Sequence, residues 1–157
     1  MINLNMSTMI YRPVKQVFDF MSTPENDFQW QYGTLASARI SEGLSQVGTS
    51  FRSIGHLLGR RVQSTFEVTE YEPNRKYGFK SLSGPLRSHT SYTFEVDKGV
   101  TRIDISTQVN AINFFQVNQG VLEKGMKKQL KENLAMLKDL LEARQALPAP
   151  ETNSLAR

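Results

Sequence analysis

The feature that most constrains the fold is a series of turn signals, spaced about a dozen residues apart, between residues 34 and 111. Each signal contains residues that favour tight turns and separates stretches in which apolar and polar side chains alternate. The signals are Glu42–Gln46, Leu58–Gly59, Pro73–Asn74, Gly84–Pro85 and Lys98–Gly99. Strands joined by so few residues pair only in antiparallel fashion. This stretch therefore predicts six consecutive antiparallel strands.

The beginning of the chain predicts one more strand and two short helices. Residues 2–10 alternate apolar and polar side chains, which is typical of a strand. Pro13 favours the first turn of a helix. A second short helix is predicted from Pro24 to Trp30, with Thr23 as its N-cap.

The last third of the chain contains a long amphipathic helix, predicted from Val117 to Arg144. This stretch has no proline, and its apolar side chains recur at intervals of three and four residues, which places them on one face. They are Leu122, Met126, Leu130, Leu134, Leu137 and Leu141. The polar, proline-broken stretch 146–157 predicts a disordered tail, so we expect a single domain over residues 1–145.

Pairing the strands around their turns places apolar side chains on the same face of the sheet in every hairpin. Phe51 falls opposite Phe66, and Tyr77 falls opposite Tyr92. The other face is polar, so the helices need to cover only one face. The sequence therefore predicts an α+β fold: a seven-stranded antiparallel curved sheet wrapped around a long C-terminal helix, with two short helices after the first strand.

Small residues are interspersed among the aromatic rings of this predicted inner face, where a solid core would favour Leu, Ile and Val. They are Ala36, Ala38, Ser53, Gly55, Ser64, Ser81, Ser88, Thr90 and Thr107. Small hydroxylated residues opposite a helix leave space and supply polar groups, which predicts a small-molecule cavity between sheet and helix. The alternative is that the helix lies closer to a strip of small residues and leaves no space.

Composition excludes several classes of protein. The chain has no cysteine, which excludes disulfide scaffolds, zinc–thiolate sites and cysteine nucleophiles. No apolar run is long enough to insert into a membrane and no signal peptide is visible, so a cytoplasmic location is predicted. The net charge of +4 is modest, and we interpret the one lysine cluster as a solvated helix face with ion pairs, not as a nucleic-acid site. The cluster consists of Lys124, Lys127, Lys128 and Lys131, with Glu123 and Glu132 among them.

Several stretches resemble the START-like superfamily (the SRPBCC group), which includes polyketide cyclase/dehydrase-like proteins. The stretches are Pro13–Asn26 followed by Trp30, Val47–Arg52, Val68–Pro73 with Phe79, Tyr92–Glu95 with Gly99–Arg102, and Leu134–Glu142. Each motif is weak alone, but their order and spacing over residues 1–145 resemble that superfamily. The resemblance implies a helix-grip fold with a cavity between sheet and helix. It implies less about function, because the superfamily includes lipid and hormone binders, cyclases, ring-hydroxylase subunits and chaperone activators.

The titratable residues predict neither a metal nor a cofactor. His56 and His89 fall on the outward face and belong to no metal-binding motif. The candidate acid–base groups of the inner face are Glu70, Tyr77 and Tyr92. Glu70 is predicted opposite Tyr77 near the rim, where it either has a raised pKa or reaches water. Tyr92 either holds a ligand carbonyl or bonds a backbone group.

Three hypotheses about function follow. The first is binding of a small lipophilic molecule, aromatic or polyketide-like, in the cavity. Its predicted pocket residues are Trp30, Phe51, Ser64, Phe66, Phe79, Ser81, Thr90, Tyr92 and Met126. The second is an enzyme that cyclises or dehydrates a polyketide-like substrate in the same cavity, with Tyr92 or Glu70 moving protons. The third is a protein-interaction module, which predicts a filled core. Whether the chain forms a homodimer is left open.

Overall fold

A computed structural model describes residues 1–57, 59–111 and 118–146. The elements are β1 (Ile2–Ile10), α1 (Val14–Met21), a 3-10 helix (Pro24–Gln29), β2 (Thr34–Arg39), β3 (Ser50–Leu57), β4 (Arg60–Glu72), β5 (Lys76–Ser83), β6 (Leu86–Asp97), β7 (Val100–Ala111) and α2 (Gln119–Ala146). The predicted fold is confirmed, with a curved seven-stranded antiparallel sheet in the order β1-β7-β6-β5-β4-β3-β2 and a long C-terminal helix. The stretch 147–157 of the predicted tail, and Val117 at the predicted start of α2, lie outside the described residues.

The two short helices lie close to their predicted positions, but Thr23 does not cap the second one with its side chain. Thr23 immediately precedes the 3-10 helix, and no side-chain hydrogen bond caps that helix. Its hydroxyl instead donates to the carbonyl of Asp19, 2.7 Å away, at the end of α1. α1 buries Phe18, whose ring packs edge-on against Phe94 at 5.2 Å between centroids.

Most of the predicted strand register is confirmed. Phe51 pairs with Phe66 between β3 and β4, and Tyr77 pairs with Tyr92 between β5 and β6. Between β6 and β7, Tyr92 pairs with Ile105. Because partners across antiparallel strands project to the same side, these pairs define one apolar inner face.

The predicted register of β2 is wrong by one residue. Arg39, not Ala38, lies opposite Phe51, because the β2–β3 connection is centred on Ser45 and not between Leu44 and Ser45. A one-residue slip exchanges the two faces of a strand. Ser37 is therefore the buried residue of β2, and the neighbouring Ala36 and Ala38 are exposed.

A β-bulge in β4 corrects a second prediction. The register shifts between Val68 and Glu70, so that Tyr71 lies opposite Tyr77. Glu70 lies opposite Gly78 and projects to the outer face, in place of the predicted pairing with Tyr77. A bulge adds one residue to one strand only, and the alternation of apolar and polar side chains does not mark its position.

The apolar stripe of α2 is more deeply buried near both ends of the helix than in its middle. Leu122 near its start and Leu134, Leu137 and Leu141 in its second half are buried. The intervening residues of the same apolar stripe, Met126 and Leu130, are only partly buried. A cavity lies between the sheet and this middle part of the helix.

Candidate functional site

The inner side of the sheet and the middle of α2 line a partly open cavity of about 230 Å³. All of its lining residues come from β1, β4 to β7, α2 and the segment after the 3-10 helix. They are Leu4, Trp30, Gln31, Phe66, Phe79, Leu86, Ser88, Thr90, Tyr92, Ile105, Thr107, Val109, Met126, Gln129, Leu130 and Asn133. The predicted space between sheet and helix is present, so the filled core expected of an interaction module is not what the structure has.

Aromatic side chains form one wall of the cavity. Phe66 and Phe79 contact each other edge-to-face with centroids 5.5 Å apart, and Phe79 meets Tyr92 in the same way at 5.8 Å. Trp30 packs on Tyr92 at 6.2 Å. Edge-to-face contacts add favourable energy beyond burial, so this wall is held firmly without help from a ligand.

Hydroxyl groups lie on β6 and β7 along another wall. The hydroxyls of Thr90 and Thr107, which face each other across the two strands, lie 3.2 Å apart and share one hydrogen bond. A hydroxyl has one donor hydrogen and two acceptor lone pairs, so this pair keeps capacity for a further partner. Ser88 precedes Thr90 by two residues on β6, so it projects to the same face and also lines the cavity.

Amide side chains line the cavity on the side of α2. Gln129 and Asn133 come from successive turns of the helix, and Gln31 follows the 3-10 helix. The amide oxygen of Asn133 accepts a hydrogen bond from the backbone N–H of Tyr32 at 2.8 Å. This bond ties the helix to the segment after the 3-10 helix and fixes the edge of the cavity.

Polar groups near the Trp30 side of the cavity lack partners. The indole Nε1 of Trp30 is buried and has no hydrogen-bond partner within the described residues. Asp27 is buried, and within the same residues its carboxyl group forms no hydrogen bond or ion pair, while its backbone carbonyl accepts from the N–H groups of Trp30 and Gln31. An unpaired buried polar group costs free energy, so this region is not optimised for stability alone.

Burial controls the protonation of the same region. Burial raises the pKa of the Asp27 carboxyl well above its ordinary value, and the nearby charge of Glu25 adds to the effect. Burial also raises the pKa of the Tyr92 phenol, with Asp27 and Tyr77 contributing. Tyr92 is therefore a neutral hydroxyl that donates or accepts a hydrogen bond and does not act as a phenolate base.

Most of the predicted pocket residues line this one cavity. Those that do are Trp30, Phe66, Phe79, Thr90, Tyr92 and Met126. Phe51 lies behind the wall, where its ring stacks on Phe66 at 5.2 Å between centroids. Ser81 does not line the cavity. Its hydroxyl accepts a hydrogen bond from the backbone N–H of Ser88 at 2.9 Å.

Ser64 lines a separate, smaller pocket of about 170 Å³ near the β3–β4 side of the sheet, together with Ser53 and Gly55. Phe66 and Gln129 line both pockets. Ser64 also contacts Gly84 so closely that a Cβ atom at Gly84 would collide with its side chain. Small residues therefore do leave space opposite the helix, but in two compartments.

The placement of Glu70 as an inner-face base is wrong. On the outer face its carboxylate lies 2.9 Å from the ammonium of Lys76 and accepts a hydrogen bond from Ser91 at 3.0 Å. The hydrogen bond from Lys76, with that from Ser91, lowers the pKa of Glu70 against the opposing effect of partial burial. This carboxylate faces away from the cavity and is not among its lining residues.

Besides Ser88 and Thr107, which were predicted on the inner face, sequence reasoning missed several residues that line the cavity. They are Leu4, Gln31, Leu86, Ile105, Val109, Gln129, Leu130 and Asn133. The apolar residues among them lie on the predicted inner face of the sheet or on the apolar stripe of α2, so the spacing of apolar side chains could have identified them. Gln129 and Asn133 carried no such signal, because amides beside an apolar helix stripe are more often solvated.

The other charged and titratable groups lie outside the cavity. His56 and His89 are exposed on the outer face, and His89 lies 3.2 Å from the hydroxyl of Thr69. Within the described residues the predicted ion pairs of the α2 lysine cluster are not formed. In that part of the chain no helix is long and apolar enough to cross a membrane.

Residues 1–142 match the sequence model of a family described as polyketide cyclase / dehydrase and lipid transport. A comparison with curated proteins yields no match.

Solved structures share the fold at low sequence identity. A START superfamily protein from Mycobacterium smegmatis superposes with a TM-score of 0.76 at 13% identity, over 91% of this chain and 99% of that one. Protein TTHA0849 from Thermus thermophilus gives 0.74 at 16% identity, over 90% and 98%. The di-domain ARO/CYC BexL from the BE-7585A biosynthetic pathway gives 0.71 at 14% identity, over 90% of this chain and 47% of that one.

Proposed function

Because the chain belongs to the polyketide cyclase/dehydrase and lipid transport family, we propose that it binds a small, largely apolar molecule in the cavity between the sheet and α2. The observation that carries the proposal is the cavity itself, with a rigid aromatic wall and a few polar groups. Sites for small molecules are mostly apolar and contain few polar groups, which orient the ligand. The hydroxyl groups of Thr90 and Thr107 are polar groups of this kind.

The volume of the cavity limits the size of the ligand. About 230 Å³ lies below the range of about 300–1,000 Å³ that is usual for drug-sized ligands. It exceeds the roughly 150 Å³ of an engineered apolar cavity that binds benzene. The proposed ligand therefore places one ring with a short chain, or two fused rings, inside the cavity.

A substitution that fills the cavity tests the proposal. Met126 lines the cavity from α2, whereas Met136 on the same helix is exposed. We expect Met126→Phe to weaken binding of 4-butylbenzamide by at least about tenfold in calorimetric titration, because the larger side chain occupies the ligand's volume, and Met136→Phe to bind as the wild type does. Native mass spectrometry of the purified protein adds a search for a co-purified compound. Absence of binding by the wild type, or equal binding by both variants, contradicts the proposal.

A cyclase or dehydratase activity in the same cavity is the second candidate, favoured by the neutral hydroxyl of Tyr92 on the cavity wall. Such an enzyme would hold a polyketide-like chain in a reactive fold and donate a hydrogen bond from Tyr92 to a developing oxyanion. If so, Tyr92→Phe lowers kcat for a candidate substrate by about 100-fold or more and leaves KM nearly unchanged. Full turnover by Tyr92→Phe would remove this role.

A further inference from the structure

The sheet splits between β5 and β6 near the tip of their hairpin. The two strands pair from Lys76 and Thr93 only as far as Lys80 and His89, although β5 continues to Ser83. Beyond that point β5 continues to pair with β4, and β6 pairs with β7 as far as Leu86. The close contact between Gly84 and Ser64 holds the tip on the β4 side.

The split opens into a groove of about 600 Å³. Its residues come from both faces of the strands, including outward Lys80 and inward Ser88, so the groove passes between the strands. Leu86, Ser88 and Val109 line this groove and also the cavity. The two spaces therefore lie next to each other, with these three side chains between them.

The groove differs from the cavity in its charge. Lys80, Arg87 and His89 line it, and none of its described lining residues is acidic. Lys80 lies 3.7 Å from Glu67, in an exposed pair that is weak in water. Arg87 forms no ion pair within the described residues, and its neighbour across the strands is the uncharged Asn110. An exposed guanidinium without a partner is well suited to a carboxylate, which it binds through two parallel hydrogen bonds.

We propose that the ligand is an organic acid, whose apolar body fills the cavity and whose carboxylate lies in the split between β5 and β6 on Arg87 and Lys80. This inference rests on the proposed function, because it places the carboxylate of a ligand whose apolar body is proposed to occupy the cavity. The large groove volume leaves room for water around the carboxylate, so the acid keeps part of its hydration.

The test compares an acid with its neutral isostere. 4-Butylbenzoate and 4-butylbenzamide have the same ring and chain and differ in the charge of one terminal group. By calorimetric titration at low salt we expect the wild-type protein to bind the benzoate about tenfold more tightly than the benzamide. Because the charged groups are exposed to water, raising the salt concentration to about 0.5 M should remove most of that preference.

Substitutions locate the preference in the groove. Arg87→Gln should weaken binding of the benzoate about fivefold and leave the benzamide unchanged, with Lys80→Gln having a smaller effect because Glu67 already neutralises part of its charge. Lys128→Gln on α2 removes the same charge from an exposed site outside the groove and is the matched control. It should change neither affinity by more than about twofold, since salt screens distant charges.

The outcomes separate this inference from the proposed function. If the benzamide binds and the benzoate binds no more tightly, the carboxylate site is wrong and the apolar cavity stands. The carboxylate site is equally wrong if Lys128→Gln weakens the benzoate as much as Arg87→Gln, because the preference then reflects net charge alone. If neither compound binds the wild-type protein, both proposals fail.

Discussion

Glu70 on the outer face and the buried Asp27 show how differently two parts of one molecule treat a carboxyl group. Glu70 receives hydrogen bonds from Lys76 and Ser91, and its pKa is lowered. Asp27 is buried without a partner among the described residues, and its pKa is raised. The buried indole N–H of Trp30, three residues further along the chain, also lacks a hydrogen-bond partner within the described residues. Neighbouring side chains therefore stabilise the charge of Glu70, whereas burial disfavours the charge of Asp27.

The largest effect that would test this contrast is the pH dependence of stability at Asp27. The raised pKa means that the folded protein holds this proton while the unfolded chain releases it above about pH 3.8. The free energy of unfolding should therefore fall with rising pH in this window, by up to about 1.4 kcal/mol per pH unit from this group. Asp27→Asn removes this loss, so the variant gains stability relative to the wild type as pH rises. Urea unfolding of both proteins from about pH 4 to about pH 7 measures it, and parallel curves would contradict the account.

A smaller effect is expected at Gly78, which makes room for the outer-face cluster. A Cβ atom at Gly78 would lie 2.6 Å from a carboxylate oxygen of Glu70 and 3.3 Å from the backbone oxygen of Thr90. We expect Gly78→Ala to lower the free energy of unfolding by about 1–3 kcal/mol, as overpacked sites do. The double variant Gly78→Ala/Glu70→Ala should lose less than the sum of the single changes, because it removes the colliding carboxylate. Strict additivity would show that the collision does not exist.

The smallest effect is expected from neutralising Glu70. Its pair with Lys76 is about one-third exposed on both sides, so Glu70→Gln should cost at most about 1 kcal/mol at neutral pH. Since the pKa of Glu70 is lowered on folding, its contribution is present above the ordinary value of 4.5 and is lost as pH falls through the folded pKa. This slope is opposite in sign to that of Asp27. Glu72→Gln, in a more exposed and longer pair with Arg75, is the control and should change stability less.

The sequence predicted the fold well because turn signals and alternation act together. Four of the five hairpins place their apolar pairs in the predicted register over most of their length, and Phe51 opposite Phe66 is one example. The errors arise where one residue is added to a strand or a turn. The bulge at Glu70 and the odd-numbered β2–β3 connection each exchange inward and outward residues, and neither leaves a mark in composition.

The candidate site was predictable only where it coincides with the apolar face. Phe66, Phe79 and Tyr92 followed from register alone. Ser64 and Ser81 were assigned to the pocket for their hydroxyls, but the hydroxyl of Ser81 bonds the backbone of Ser88 and Ser64 lies in the second pocket. Local hydrogen bonds compete for serine hydroxyls, and alternation carries no information about which partner wins.

Met126 and Leu130 in the middle of α2 are less buried than the leucines at the two ends of the helix. The leucines at the two ends of the helix fix where it lies on the sheet. Side chains in the middle of α2 can then change in size and polarity without moving the helix or the sheet. The same architecture persists among proteins that share only 13–16% of their residues with this chain.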